Sequence, residues 1–287
     1  MYAGNLLYNS ATDVQLTRSE LSGLVTPEPL GARHAPYSFA EFADNTHDAI
    51  EAAGYRVDNE QFVVTKDGNR LFGLMQVALD PTHADYPTSN VFDNVLPPYP
   101  RKPEHLKHKL LVGLRGAHDQ RVSRGLLIGS KVLVCSNLCF HGDLGNWKSK
   151  QTTNIAHRIP ALIGQAVNGL DHARTALSDT FKRLNDTPIG RSKGDEILAT
   201  VYRNKGLSAS QLGRALDEWG TSTIGEHTSG GRNAWWLLNA ATEALKPTGQ
   251  NVSHLDTESR SRTVYRTIRA EAAWSLNPGY NVYDPAA

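Results

Sequence analysis

HKLLVGLRGAHDQRVSRGLLIGSKVLVCSNLCFHGD, residues 108–143, decides how the rest of the chain is read. HKLLVGLRGAH has the aliphatic density of a strand. Asp119 to Arg124 reads as a turn or short strand. RGLLIGSKVLVCSNLCF reads as a second hairpin, with Gly129-Ser130 as its candidate turn. Neighbouring strands joined by short turns pair antiparallel. In a regular strand Val132, Val134 and Ser136 share one face, and Leu133, Cys135 and Asn137 the other; register decides which is buried. The same stretch carries most of the reactive side chains: Arg115, His118, Asp119, Arg121, Arg124, Lys131, Cys135, Asn137, Cys139, His141 and Asp143.

Upstream, residues 1–35 read as an irregular arm. Thr17-x-x-Glu20 has the form of a capping box and predicts a short helix to Leu24, broken by TPEPLG. Ser38-x-x-Glu41 opens a stronger helix through Phe39, Phe42, His47 and Ile50, which Gly54 is placed to end. QFVVT (61–65) and RLFGLMQVAL (70–79) flank Lys66-Asp67-Gly68-Asn69, and the Asp-Gly pair predicts a hairpin turn. Residues 80–107 hold six of the chain's fourteen prolines and read as a long loop, functional or disordered.

Downstream, Thr153 to about Asn185 shows the longest helical pattern, with Ile155, Ile159, Leu162, Ile163, Ala166, Val167, Leu170, Ala173 and Leu177 on one face. Pro160 predicts a kink or the true first turn. GDEILATVYRNKG (194–206), SASQLGRALDEWG (208–220), RNAWWLLNAATEALK (232–246) and TVYRTIRAEAAWSL (263–276) predict four further helices, with Ser208 as an N-cap. The pattern predicts the α+β class: an antiparallel β-sheet with a long amphipathic helix packed on one face and a helical C-terminal third. The expected divisions are an arm at 1–35, an α+β core at 36–187 and a helical region at 188–287.

A chain of 287 residues with 39% hydrophobic and 21% charged side chains suits a soluble globular protein. No apolar run reaches the roughly 18 residues that a membrane span needs. MYAGNLLYNSATDV has neither a basic n-region nor an apolar h-region, so no signal peptide is expected. Two cysteines make no disulfide framework, and a reducing, cytoplasmic setting is expected.

The net charge of +1 hides an asymmetry. Residues 1–100 carry five Lys+Arg against thirteen Asp+Glu, a net of −8, and residues 101–160 carry eleven against three, a net of +8. Such a split suggests a polyanion partner; the alternative is that the two regions neutralise each other.

Four chemistries are open to the central stretch. Cys135, Cys139 and His141 offer zinc its sulfur and nitrogen ligands, but on extended strand the two thiols stand two pleat repeats apart. Cys135 or Cys139 with His118 or His141 would make a thiolate pair, yet no hydrolase signature accompanies it. No Gly-rich phosphate loop occurs, and no cofactor is expected. Nucleic-acid binding fits best: Arg115, Arg121, Arg124, Lys131, Lys148, Lys150 and Arg158 would neutralise phosphates, with Trp147 or Phe140 stacking bases. His118, Asp119, Cys135 and Asn137 are assigned to holding the sheet and its turns.

At residues 113–143 the chain resembles the phage- and plasmid-borne proteins of domain-of-unknown-function family 932. Gly113, Arg115, His118, Asp119, Gly125, Gly129, Ser130, Val132, Val134, Cys135, Asn137, Leu138, Phe140 and Gly142 match that family's central motif. Gly116-Ala117 stands where the family has Asn-Ser, and Ser136 where it has Asp. RNAWWLLNAATEAL, followed by His254 and Arg260, is similar to its C-terminal segment, so the resemblance spans about residues 30 to 275. It brings no settled activity with it. The order helix, hairpin, further strands, long helix is also similar to the core of single-strand annealing proteins. That likeness implies a homo-oligomer, ring or filament, holding single-stranded DNA beside the sheet.

Overall fold

The computed structural model describes residues 6–7, 12–79, 108–132, 138–140, 145–223, 231–246 and 253–272. The fold is of the α+β class. Seven strands form one sheet in which every pairing is antiparallel. They are β1 (Asp13–Leu16), β2 (Tyr55–Thr65), β3 (Arg70–Leu79), β4 (His108–Ala117), β5 (Arg124–Val132), β6 (Leu138–Phe140) and β7 (Asn146–Ser149). The first five lie in chain order, and β6 and β7 share the outer edge of β5.

Alternation along the strands makes two apolar faces. Phe62, Val64, Leu71, Met75, Val112, Leu114, Leu126 and Ile128 point to the main core. Val63, Phe72, Leu74, Leu111 and Leu127 point the other way and form a smaller cluster with Leu6 and Leu7. The backbone N–H groups of Leu6 and Leu7 donate to Gln61 Oε1 at 2.7 and 2.9 Å, which ties this segment to β2.

The early elements follow their sequence signals. Helix α1 (Arg18–Leu21) carries the Thr17–Glu20 capping box. In α2 (Phe39–Ala52) the Ser38 hydroxyl accepts the Glu41 N–H at 3.3 Å. Gly54 ends it at φ +80°, a left-handed conformation that suits glycine. β2 begins at the next residue and runs to the Asp67-Gly68 turn, where Gly68 has φ +71°. Residues 80–107 lie outside the described residues.

Three features depart from the sequence pattern. Gly129-Ser130 is no turn: both residues sit inside β5, opposite Leu111 and Leu110. The turn falls at residues 118–123 instead. The arm is not apart from the core, because β1 pairs with β2 and Leu21 is buried. The long helix is two, α3 (Ile155–Asn168) and α4 (Leu170–Asp186). Pro160 stays inside α3 on its exposed side, and the break falls at Gly169, where a Cβ would press within 3.1 Å of the Trp147 ring.

Helices α2, α3 and α4 join the main core, together with α5 (Arg191–Arg203), α6 (Ala209–Gly220) and α7 (Ala234–Leu245). One apolar cluster runs from Leu21 to Ala272, across the expected boundary at residue 188. The last helix, α8 (His254–Glu271), begins nine residues before its apolar stretch. Its C-terminal half packs Val264, Tyr265 and Ile268 into the main core. Its N-terminal half covers the second face of the sheet. There His254 Nδ1 lies 2.7 Å from Asp13 Oδ2, the imidazole stacks on Phe72, and Leu255 packs on the smaller cluster. Among the described residues no helix is long and apolar enough to cross a membrane.

Candidate nucleic-acid interface

The antiparallel register brings the 118–123 turn, the start of β5 and the end of β7 to one end of the sheet, since Arg124 faces Ser149. The loop before α2 joins them through the bridge between His34 and Thr152. These segments enclose a cleft of about 530 Å³ lined by residues 30–34, Gln120, Val122, Ser123 and residues 150–152.

The seven arginines and lysines expected to meet phosphate divide sharply by exposure. Arg121, Lys148, Lys150 and Arg158 are exposed. Arg121 stands at the turn, with its side chain 76% exposed. Arg115, Arg124 and Lys131 are not available to a strand. Arg115 points to the second face, where Nη1 donates to Glu258 Oε2 at 3.1 Å and Nη2 to Asn146 Oδ1 at 3.3 Å. Burial lowers its pKa. Lys131 is 5% exposed and its pKa is likewise lowered by burial.

Arg124 is fully buried on the main face. Its guanidinium lies 4.6 Å from the Phe39 ring, 5.4 Å from Phe42 and 6.0 Å from Tyr37. Nη2 donates to the Tyr37 carbonyl and to Gln151 Oε1, while Nε and Nη1 have no hydrogen-bond partner among the described residues. Burial pushes its pKa down to about 9, which leaves it charged at neutral pH. Gly116 permits this packing, since a Cβ there would come within 2.9 Å of Arg124 Cδ. That approach gives a physical reason for glycine at position 116 of this chain.

Trp147 is half-buried: β7 places it opposite Leu126, on the main face, where it packs against the main core beside Gly145 and Gly169. The side chain of Phe140, and residues Cys135, Asn137 and His141, lie outside what is described, as does the Cys139 side chain. Among the described residues no group of three His, Cys, Asp or Glu side chains is placed to hold a metal ion.

His118 and Asp119 hold the turn. Asp119 Oδ2 accepts from Arg70 Nε and Nη2 at 2.9 and 2.8 Å, and Oδ1 accepts the Arg121 N–H at 3.0 Å. The His118 N–H donates to the Asn69 carbonyl at 2.8 Å, and its ring packs on Phe39 with centroids 4.1 Å apart. Burial, Arg124 and His34 together push its pKa down to about 4. Between pH 4 and the ordinary imidazole value of 6.5, the unfolded chain binds a proton that the folded chain refuses. Stability from this group is therefore complete above about pH 6.5 and is lost as the pH falls. His118→Phe keeps a ring on Phe39 and removes the titration. It is expected to flatten urea-measured stability across this window by about 2 kcal/mol. An undiminished acid slope would show that other groups carry it.

No family model matches the chain, and neither does any curated protein or solved structure. Arg33, His34 and Gln151 belong to the cleft, and no sequence motif marks them. The available signal was GARH at 31–34, a cation and an imidazole in a Pro- and Gly-rich loop.

Proposed function

We propose that the protein binds nucleic acid, single-stranded DNA in the first place, across the basic end of its sheet, and acts by holding and annealing strands in the recombination or replication of a phage or other mobile element. The supporting observation is the set of exposed cations there: Arg33, Arg121, Lys148, Lys150 and Arg158. Among the described residues only Arg121 has a carboxylate beside it, with Nε 3.8 Å from an Asp119 already held by Arg70. Cations on a loop, a turn, an edge strand and the first turn of α3 suit a phosphate backbone, which is gripped without reading sequence. The likeness to annealing proteins adds a homo-oligomer, ring or filament, as the working assembly.

The test is fluorescence anisotropy of a labelled single-stranded oligonucleotide. About five phosphate contacts imply a slope of log affinity against log salt of about −3.5. Arg121→Glu, Lys148→Glu and Arg158→Glu together, all at exposed positions outside the cleft lining, are expected to weaken binding at least about a hundredfold. Absence of binding at about 50 mM salt by folded protein at micromolar concentration, or indifference to the triple reversal, would sink the reading.

A further inference from the structure

Residues 30–37 lie across the end of the sheet, and one polar cluster fastens them there. The Ala35 N–H donates to the Gln151 carbonyl and the Tyr37 N–H to Gln151 Oε1, both at 3.4 Å. The Tyr37 carbonyl accepts from Arg124 Nη2, and Gln151 Nε2 donates to the Ala117 carbonyl, next to His118. Within the loop, His34 Nδ1 accepts the Leu30 N–H at 3.0 Å. Hydrogen bonds of 3.4 Å are long, and a surface segment held by such contacts opens at a cost below that of global unfolding.

The cluster suits neutral imidazoles only. His118 is 3% exposed and packs on Phe39 at the start of α2, and its Nδ1 has no hydrogen-bond partner among the described residues. The charges that act on its ring are Arg124 from β5, His34 from the loop and Asp119 beside it. Asp119, the carboxylate among them, is already held by Arg70 from β3. Helix α2 meets the ring through Phe39, while Glu41 in its first turn is exposed and acts on Tyr37. Arg33, Arg121 and Lys150 add exposed cations around the same end. A proton on His118 therefore makes a buried cation near Arg124, with no free carboxylate to meet it among the described residues. A proton on His34 Nδ1 turns the acceptor of the Leu30 N–H into a donor. Lifting the loop relieves both, because the imidazoles then reach water.

We propose that residues 30–37 form an acid-released latch, closed over neutral His118 and His34 and opened when these imidazoles take protons. The buried His118 ring, with its pKa pushed down to about 4, refuses a proton that an open one takes near the ordinary 6.5, so opening is favoured as the pH falls through that value. Between about pH 7.5 and 5.5 one such imidazole multiplies the opening equilibrium by about ten. Opening also uncovers Arg124, so the latch regulates the basic end of the sheet; that part alone rests on the nucleic-acid reading above.

Hydrogen exchange of the full chain, read by mass spectrometry and corrected for the intrinsic effect of pH, tests the latch. From about pH 7.5 to 5.5 the Ala35 and Tyr37 amides are expected to lose protection about tenfold or more, while β3 and β4 keep theirs. His118→Phe keeps a ring on Phe39, and His34→Gln offers Leu30 an acceptor that does not titrate. Each is expected to blunt the loss, and the double variant to stay closed at both pH values. The regulation is read by anisotropy of a single-stranded oligonucleotide in a His157→Gln background, which removes the exposed imidazole of α3. Binding is expected to tighten at least about threefold at the lower pH, and the double variant to lose that gain. A loop that stays protected at the lower pH, or a double variant that does not stay closed there, overturns the latch. Opening with oligonucleotide binding that ignores pH overturns the regulation. Opening with no oligonucleotide binding at all sinks the proposed function and leaves the latch standing.

Discussion

Glu258→Ala is expected to destabilise the fold by about 3–5 kcal/mol, the range for breaking a buried ion pair from one side. Glu258 is 1% exposed and is the acid for two arginines at once. Oε2 accepts from Arg115 Nη1 at 3.1 Å, and Oε1 meets Arg262 Nε one turn along α8. Among the described residues, removing the carboxylate leaves the Arg115 guanidinium, itself 11% exposed, with Asn146 and no opposite charge. Much of that loss is the desolvation of a stranded cation and not the worth of the contact. A double-mutant cycle separates the two. Arg115→Met with Glu258→Leu replaces both partners by apolar groups of similar length, and the pair is expected to cost less than the sum of the single changes by about 2–3 kcal/mol. Urea midpoints with an unchanged slope would place the effect in the folded state. Additive single changes would mean that α8 is held to the sheet by Leu255 and the His254–Asp13 contact, with the ion pair idle.

The same helix shows where sequence patterning ran out. Its inward stripe is His254, Glu258, Ser261, Tyr265 and Ile268, a regular helical spacing whose first half is polar. Apolar periodicity finds only the second half, so the predicted start at residue 263 falls nine residues late. Polar residues turn inward here because each has a partner: Asp13 for His254, Arg115 and Arg262 for Glu258. Asp13 lies 241 residues from His254 and Arg115 lies 143 from Glu258, and no local pattern announces either. Where burial was apolar, local signals sufficed. The capping groups at Thr17, Ser38 and Ser208 stand where their spacing put them, and the β2–β3 turn falls on Asp67-Gly68. Gly129 misled because glycine inside a strand and glycine in a turn have the same local signature; only the pairing with β4 separates them.

Charge was legible as composition and not as placement. The basic middle of the chain suggested seven side chains facing one partner, but period-two alternation sends Arg115 and Lys131 to the second face and Arg124 to the first, both covered by helices. Neutralisation between the first third and the middle is local, as in Asp58–Lys109 at 3.9 Å and Asp119–Arg70 at 2.8 Å. What remains exposed lies at loops, the sheet edge and a helix start, where the chain has no core to fill.

Arg124 gives the sharpest separation of fold from function. Arg124→Ala is expected to destabilise by about 3 kcal/mol, because it empties the space beneath Phe39, Phe42 and Tyr37 and exposes Gly116 to a void. Arg124→Met is expected to stay within about 1 kcal/mol of the parent, or to exceed it. The methionine refills the volume. Against it stand the lost hydrogen bonds to the Tyr37 carbonyl and Gln151 and three ring contacts, worth about 0.5–2 kcal/mol each at most. In its favour stands the removal of a buried charge that has no carboxylate among the described residues, and of Nε and Nη1, which find no hydrogen-bond partner there and whose desolvation costs about 1–3 kcal/mol each. These sums nearly cancel, so the guanidinium is not there to hold the core. Thermal or urea unfolding of the two variants side by side reads the difference. A methionine variant as unstable as the alanine one would assign the Arg124 guanidinium to the fold.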